Sequence, residues 1–223
     1  IAAPFCTRQL ADLGARVIKV ERPGDGDFAR GYDKRARGLS SHFVWVNRSK
    51  ESLALDLKNP EHLAALKQLL NKADVLVQNL APGATARMGL DAATLRAIHP
   101  RLIVCDISGY GEGGPYETKK AYDLLIQSES GFVSVTGSAD EPSKAGCSIA
   151  DISAGSYAYS SILNALLLRH KTGLGSHLDV SMLESMVEWM SFPLYYAFEG
   201  AAPPPRAHWS TTHHAQSSIY PNR

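Results

Sequence analysis

The apolar positions along the chain change their period several times, and each change marks an element. After Ala3-Pro4, the stretch FCTRQLADLG spaces its apolar residues as a helix does, with proline in the first turn and Gly14 at the end. ARVIKVE is short and β-branched and predicts a strand. PGDGDFARG is turn chemistry, and FVWVNRSKESLALDL then reads as strand in two pieces. Asn59-Pro60 opens a helix through EHLAALKQLLNKA, ADVLVQNL is the next strand, and LDAATLRAIHP is a short helix with Asp91 as its N-cap. RLIVCDIS is a further strand.

Beyond it, YDLLIQSESGFVSVTG predicts a helix followed by irregular chain. Asp151 opens a long helix, ISAGSYAYSSILNALLLRHKTG, with basic residues in the last turn and Gly173 after them. HLDVSMLESMVEWM reads as strand then helix, and Pro203 to Pro205 mark a linker leaving the core. Strands alternating with helices imply a doubly wound α/β fold with a mostly parallel, open sheet covered on both faces. A helix-then-strand start is the second half of a βαβ unit, so a first strand is expected upstream of Ile1. The chain is expected to be truncated at both ends, with 1–200 forming one α/β domain and 201–223 starting a linker toward a second, smaller one.

Composition narrows the function more than the fold. With 23 basic and 22 acidic side chains among 223 residues, the net charge of +1 gives no electrostatic reason for nucleic acid or an anionic membrane as the main partner. No apolar run reaches the ~20 residues a membrane helix needs, and no secretory signal is visible. Cys6, Cys105 and Cys147 show no metal-ligand spacing, and Cys105 and Cys147 sit among apolar neighbours, as small buried hydrophobes do. A reducing compartment, the cytoplasm, is expected.

Four groups of residues carry candidate chemistry. Gly109, Gly111 and Gly114 fit G-x-G-x-x-G, but Pro115 follows at once and no acidic ribose partner is placed. A post-strand loop is therefore favoured over a dinucleotide site. His208, His213 and His214 lie in a proline-flanked stretch that lacks the rigid register of a zinc site. Lys19, Arg22, Lys58 and Arg87 each fall at or just after an element's end; singly they read as solvated charges, together as a set able to surround a polyphosphate. Asp151 reads first as an N-cap. An aspartate there is held ionised, the form a nucleophile requires, and Ala150, Ser153, Ala154 and Gly155 leave space around it.

The motifs LADLGARVIKVERPGDGD, SLALDLKNPE, VLVQNLAPGATARMGL, PRLIVCDISGYGEGGPY, KAYD and RHKTGLG occur in this order through nearly the whole chain. This ordered set resembles the class III CoA-transferases, the family of formyl-CoA transferase, carnitine CoA-transferase and α-methylacyl-CoA racemase. The resemblance implies a Rossmann-like large domain, a small domain, and an interlocked homodimer. It implies coenzyme A or an acyl-CoA as substrate, with no tightly bound cofactor and no metal. Asp151 takes the place of the family's catalytic aspartate, and the CoA-contacting positions map onto Arg22, Leu55, Lys58, Asn79, Leu80, Arg87 and Lys120. Leu80 departs from the aromatic often found there. The family's glycine-rich active-site loop would fall beyond Arg223.

In the racemase branch a histidine precedes the aspartate of the KAYD motif, whereas this chain has Tyr122 there. With a reference pKa near ~10, tyrosine is a poor general base at neutral pH, which favours CoA transfer over epimerisation. The resemblance then implies that Asp151 passes CoA from a short acyl-CoA, such as succinyl-CoA, to a carboxylic acid through an aspartyl anhydride and an aspartyl-CoA thioester. Amides of Gly109 to Gly114 are candidate oxyanion donors. The stretch from Glu188 to Ala215 resembles members acting on short dicarboxylic acids, with Arg206 and the histidines as candidates for a second carboxylate. The competing readings are an acyl-CoA epimerase, a non-catalytic CoA-binding protein and a nucleotide-dependent oxidoreductase.

Overall fold

The computed structural model describes residues 1–206. Helix α1 (Ala2–Asp12) leads to strand β1 (Ile18–Glu21), a 3-10 turn (Phe28–Gly31) and α2 (Ser41–Asn47). Then follow β2 (Glu51–Ala54), α3 (Pro60–Leu70), β3 (Val75–Gln78), α4 (Ala84–Met88), α5 (Ala92–Ile98) and β4 (Ile103–Ser108). Helices α6 (Asp123–Glu129), α7 (Phe132–Val135) and α8 (Ile149–Thr172) precede β5 (His177–Ser181), α9 (Met182–Trp189) and α10 (Ser191–Tyr196). The predicted α/β class holds, and among the described residues every pairing between these strands is parallel. The strands fall into two open groups, β1-β2 and β3-β4-β5.

Alternate residues of β4, with Leu102 just before it, feed two cores. Cys105 and Ile107 join Ala150, Ala154, Ala158 and Ile162 of α8 and Met186 of α9 on one face. Leu102 and Val104 join Leu66 and Leu70 of α3 and Leu95 of α5 on the other. This two-sided burial is why RLIVCDIS reads as a continuous apolar run rather than an alternating one.

One predicted strand is a helix. The segment 41–47 is helical because the Ser40 hydroxyl accepts the Phe43 N–H as an N-cap, and Phe43, Val46 and Asn47 turn toward the interior at helical spacing. Its valines and aromatics mimic a strand by propensity alone. Ser49 then takes a positive φ of 65°, which ends the segment before β2.

The long helix is fixed at its far end. The Arg169 guanidinium donates to the carbonyls of Asp74 and Arg101, at the starts of β3 and β4, and to the Asp74 carboxylate at 2.8 Å. Gly173 then closes the helix in the left-handed region, φ 78°. Since Arg169 marks the amino edge of the sheet, the first turn of α8, about five turns away, lies at the carboxyl edge.

Candidate active site

Every residue assigned to CoA by resemblance also falls on that carboxyl edge. Arg22 directly follows β1; Leu55 and Lys58 follow β2; Asn79 and Leu80 follow β3, with Arg87 in α4; Lys120 follows β4. In open α/β sheets, ligands bind outside the carboxyl ends of the strands. Four exposed cations, Arg22, Lys58, Arg87 and Lys120, thus stand after four different strands, three of them on loops and Arg87 in α4. Arg22 is oriented by its Nε bond to the Gly26 carbonyl and by packing over the Phe28 ring at 4.2 Å, beside an open cleft of about 370 Å³. Leu55 is buried, whereas Leu80 is 46% exposed and its backbone N–H is held by the Gln78 side chain.

Lys19 does not join this rim. Its ammonium pairs with Asp27 at 2.7 Å, a bond that helps to hold that carboxyl below its usual value against its burial. The neighbouring Glu21 is buried and bound by the Arg30 guanidinium, Ser52 and the Asp27 N–H. Arg30 lies 3.8 Å over the Phe43 ring, so this network ties the loop after β1 to α2.

Asp151 is not the N-cap of its helix. Ser148 occupies that position, and Asp151 is the third residue of α8. The carboxylate is half-buried against α1, with Oδ1 accepting the Ala2 N–H at 3.1 Å. Gly155, one turn along α8, permits this approach: a β-carbon there would lie 2.7 Å from the Ala2 carbonyl oxygen. Nor is Asp151 simply stabilised as an anion by the helix. Burial pushes its carboxyl above the usual range, and the charge of Asp123 adds to the rise, while the Ala2 N–H acts in the opposite direction. Among the described residues, Oδ2 of Asp151 accepts no hydrogen bond.

Three sequence expectations are corrected here. In the glycine loop, Gly111 N–H donates to Ser108 Oγ and Gly113 N–H to Glu117, so these two amides already have acceptors and are not waiting oxyanion donors. What the loop does supply is close packing, since a β-carbon on Gly109 would meet that of Ala121 at 2.2 Å. Arg206 spends its guanidinium on the carbonyls of Ser134, Ser138 and Ala139, so it does not present a free cation to a second carboxylate. Cys147 is exposed, whereas Cys6 and Cys105 are buried; burial pushes the Cys6 thiol up to about 12. Among the described residues no group of three or more His, Cys, Asp or Glu side chains is placed to hold a metal. His208, His213 and His214 lie outside the described residues.

Sequence reading passed over Asp123, Gln127 and Lys50. Asp123 accepts the N–H groups of Ala150 and Asp151, and Gln127 is fully buried behind it. A carboxylate and an amide one turn apart in YDLLIQ were a visible signal for the pair, though not for its reach to α8. Lys50 donates to the Pro4 carbonyl and to Asn47, tying the start of β2 to α1; burial, then the charge of Lys19, pulls its ammonium down to about 7.

The model of CoA-transferase family III matches residues 1–223. The chain is 39% identical over 193 residues to the human succinyl-CoA:glutarate CoA-transferase, covering 86% of this chain and 44% of that protein. It is 40% identical over 203 residues to the acetyl-CoA:oxalate CoA-transferase of Acetobacter aceti, covering 90% and 52%. A CAIB/BAIF family protein from Brucella suis superposes with a TM-score of 0.87 at 35% identity, over 92% of this chain and 56% of that one. The chain thus spans about half the length of the relatives it matches. By sequence along its whole length, and by fold at more than 25% identity, the chain belongs to CoA-transferase family III.

Proposed function

We propose that the protein of which this chain is a part transfers CoA between carboxylic acids, with Asp151 as the covalent carrier. The observation that carries the proposal is the shared edge. A half-buried carboxylate with one unbonded oxygen stands at the end of the sheet where four strands each present a cation. The cations suit the phosphates of CoA, and the carboxylate suits attack on its thioester.

In the proposed sequence, Asp151 Oδ2 attacks the thioester carbonyl of the donor acyl-CoA. The C–S bond breaks, giving an aspartyl anhydride and CoA thiolate. The thiolate attacks the aspartyl carbonyl and expels the donor acid as its carboxylate, leaving an aspartyl-CoA thioester. The acceptor carboxylate attacks that thioester and releases the thiolate, and a second attack by the thiolate on the acceptor's carbonyl frees Asp151. The activation of the thioester is carried through the anhydrides and restored in the product, so no nucleotide is consumed. Tyr122, which is 69% exposed, replaces the histidine that an epimerase would use for proton transfer.

Short dicarboxylic acids are the proposed acceptors, and succinyl-CoA the proposed donor. The names of the human and Acetobacter relatives and the resemblance of the 188–215 stretch support this reading. A homodimer is proposed as well, because Trp189, Leu194, Tyr195 and Phe198 leave exposed apolar surface along α9, α10 and the turn after them that a second copy would cover. None of the described helices is long and apolar enough to cross a membrane.

The test uses the full-length protein, succinyl-CoA and a panel of mono- and dicarboxylic acids. With succinyl-CoA present, hydroxylamine is expected to attack the activated Asp151 carbonyl, releasing succinate or CoA and leaving a hydroxamate at Asp151. Asp151→Ala is expected to retain CoA binding and to lose transfer. Persistent turnover in that variant, or an unmodified Asp151 in the wild type, would overturn the proposal.

A further inference from the structure

Ser148, at the N-cap position of α8, makes no side-chain cap bond. The first turn is held from another helix instead. Oδ1 of Asp123, the first residue of α6, accepts the Ala150 N–H at 2.8 Å and the Asp151 N–H at 3.3 Å. Oδ2 accepts from Gln127 Nε2. Gln127 is 0% exposed, and its Oε1 accepts the Ala145 N–H at 2.8 Å, so its amide orientation is fixed from both ends. Three N–H groups therefore converge on the Asp123 carboxylate.

Building on Asp151 as acyl carrier, we propose that Asp123 is the positioning residue for that nucleophile and that Gln127 locks Asp123 in place. Fixing the backbone N–H of Asp151 sets the direction of its side chain, and the Ala2 N–H fixes Oδ1. Together these leave Oδ2 as the attacking atom, without the rotamer search that an exposed aspartate would make.

Asp123 also acts through its charge. Among the described residues the charged side chain facing Asp151 is Asp123 from α6; α1 meets it through the Ala2 N–H, and α9 meets the same turn through Ser185, whose carbonyl accepts from Ser153. Attack on the thioester converts the Asp151 anion into a neutral anhydride, which relieves its repulsion with Asp123. Asp123 therefore disfavours the resting anion relative to the acylated state and makes it the stronger nucleophile.

The experiment follows the labelling of Asp151 by succinyl-CoA against pH, with hydroxylamine trapping and mass spectrometry, in the full-length protein. Asp123→Asn keeps an acceptor oxygen and removes the charge. It is expected to move the acid limb of the acylation profile to lower pH and to lower the plateau rate about tenfold, with KM for succinyl-CoA held within about twofold. Asp123→Glu restores the charge and is expected to restore most of the rate. Gln127→Met leaves the carboxylate but removes its lock, and is expected to lower the plateau about threefold; it supplies the decisive measurement if Asp123→Asn does not fold. An unchanged plateau and acid limb in Asp123→Asn, or an unchanged plateau in Gln127→Met, overturns the inference while acyl transfer stands. A wild type that acquires no label on Asp151 overturns both.

Discussion

Gly155 and Ala2 meet where α8 crosses α1: a β-carbon on Gly155 would lie 2.7 Å from the Ala2 carbonyl oxygen and 2.9 Å from the Phe5 ring. Both obstacles belong to a packed helix rather than to a flexible side-chain tip. Gly155→Val must therefore push α1 away from α8, and with it the Ala2 N–H that binds Asp151. A loss of about 1–3 kcal/mol is expected from overpacking, together with a fall in kcat that exceeds the change in KM. Denaturant unfolding and steady-state kinetics check both. A variant of wild-type activity would show that the Ala2 contact is dispensable.

Arg169 and Asp74 hold the opposite end of the same helix, remote from the candidate chemistry. The guanidinium satisfies two carbonyls and a carboxylate at the amino edge of the sheet. Arg169→Met should cost about 1–3 kcal/mol through the carbonyls left without donors. The melting temperature should fall by roughly 2–4 °C per kcal/mol, with kcat unaltered. A loss of activity in protein that remains folded would contradict the purely structural role given to the RHKTG motif.

The structure shows which parts of this architecture were legible from residue order and which were not. Strands such as ADVLVQNL and RLIVCDIS and the caps at Asn59 and Asp91 were visible because their signals are local: apolar runs, and side chains that bond N–H groups two or three residues on. The segment at 41–47 misled because β-branched and aromatic residues favour strands unless a cap and a buried face override them. The role of Asp123 could not be read at all, since its bond to Ala150 spans 27 positions in sequence. The same holds for Lys19, whose charge looked available until Asp27 folded back onto it.

Gln78 and Asp106 form a directly paired cross-strand couple whose bonds reach the proposed CoA-binding turn. Gln78 Nε2 donates to Asp106 Oδ1 at 2.8 Å, and its Oε1 accepts the Leu80 N–H at 2.6 Å. Asp106 is also in register with Asp179 of β5, a like-charge pairing that the bond to His177 at 2.8 Å offsets. Gln78→Leu removes the acceptor for Leu80 without touching Asp151. Loss of about 1 kcal/mol of turn stabilisation should raise KM for the acyl-CoA about fivefold, with kcat held within about twofold. A kcat effect without a KM effect would place the turn outside the CoA site.

Glu21 links the loop carrying Arg22 to acid stability. The Arg30 guanidinium, opposed by burial and helped by Ser52 and the Asp27 N–H, lowers its carboxyl from the ordinary 4.5 to about 2. A carboxyl depressed in the folded state stabilises the fold fully above its unfolded value and loses that contribution as pH falls from about 4.5 through about 2. Glu21→Gln should therefore be less stable than the wild type at neutral pH, by roughly 1–3 kcal/mol, because Arg30 loses its bidentate partner. The two proteins should converge as pH drops toward 3 and below. Urea unfolding of both between pH 7 and pH 3 isolates this one group, since every other titrating side chain is shared. A difference that stays constant across that range would mean that the Arg30 pair stabilises through packing over Phe43 rather than through the charge of Glu21.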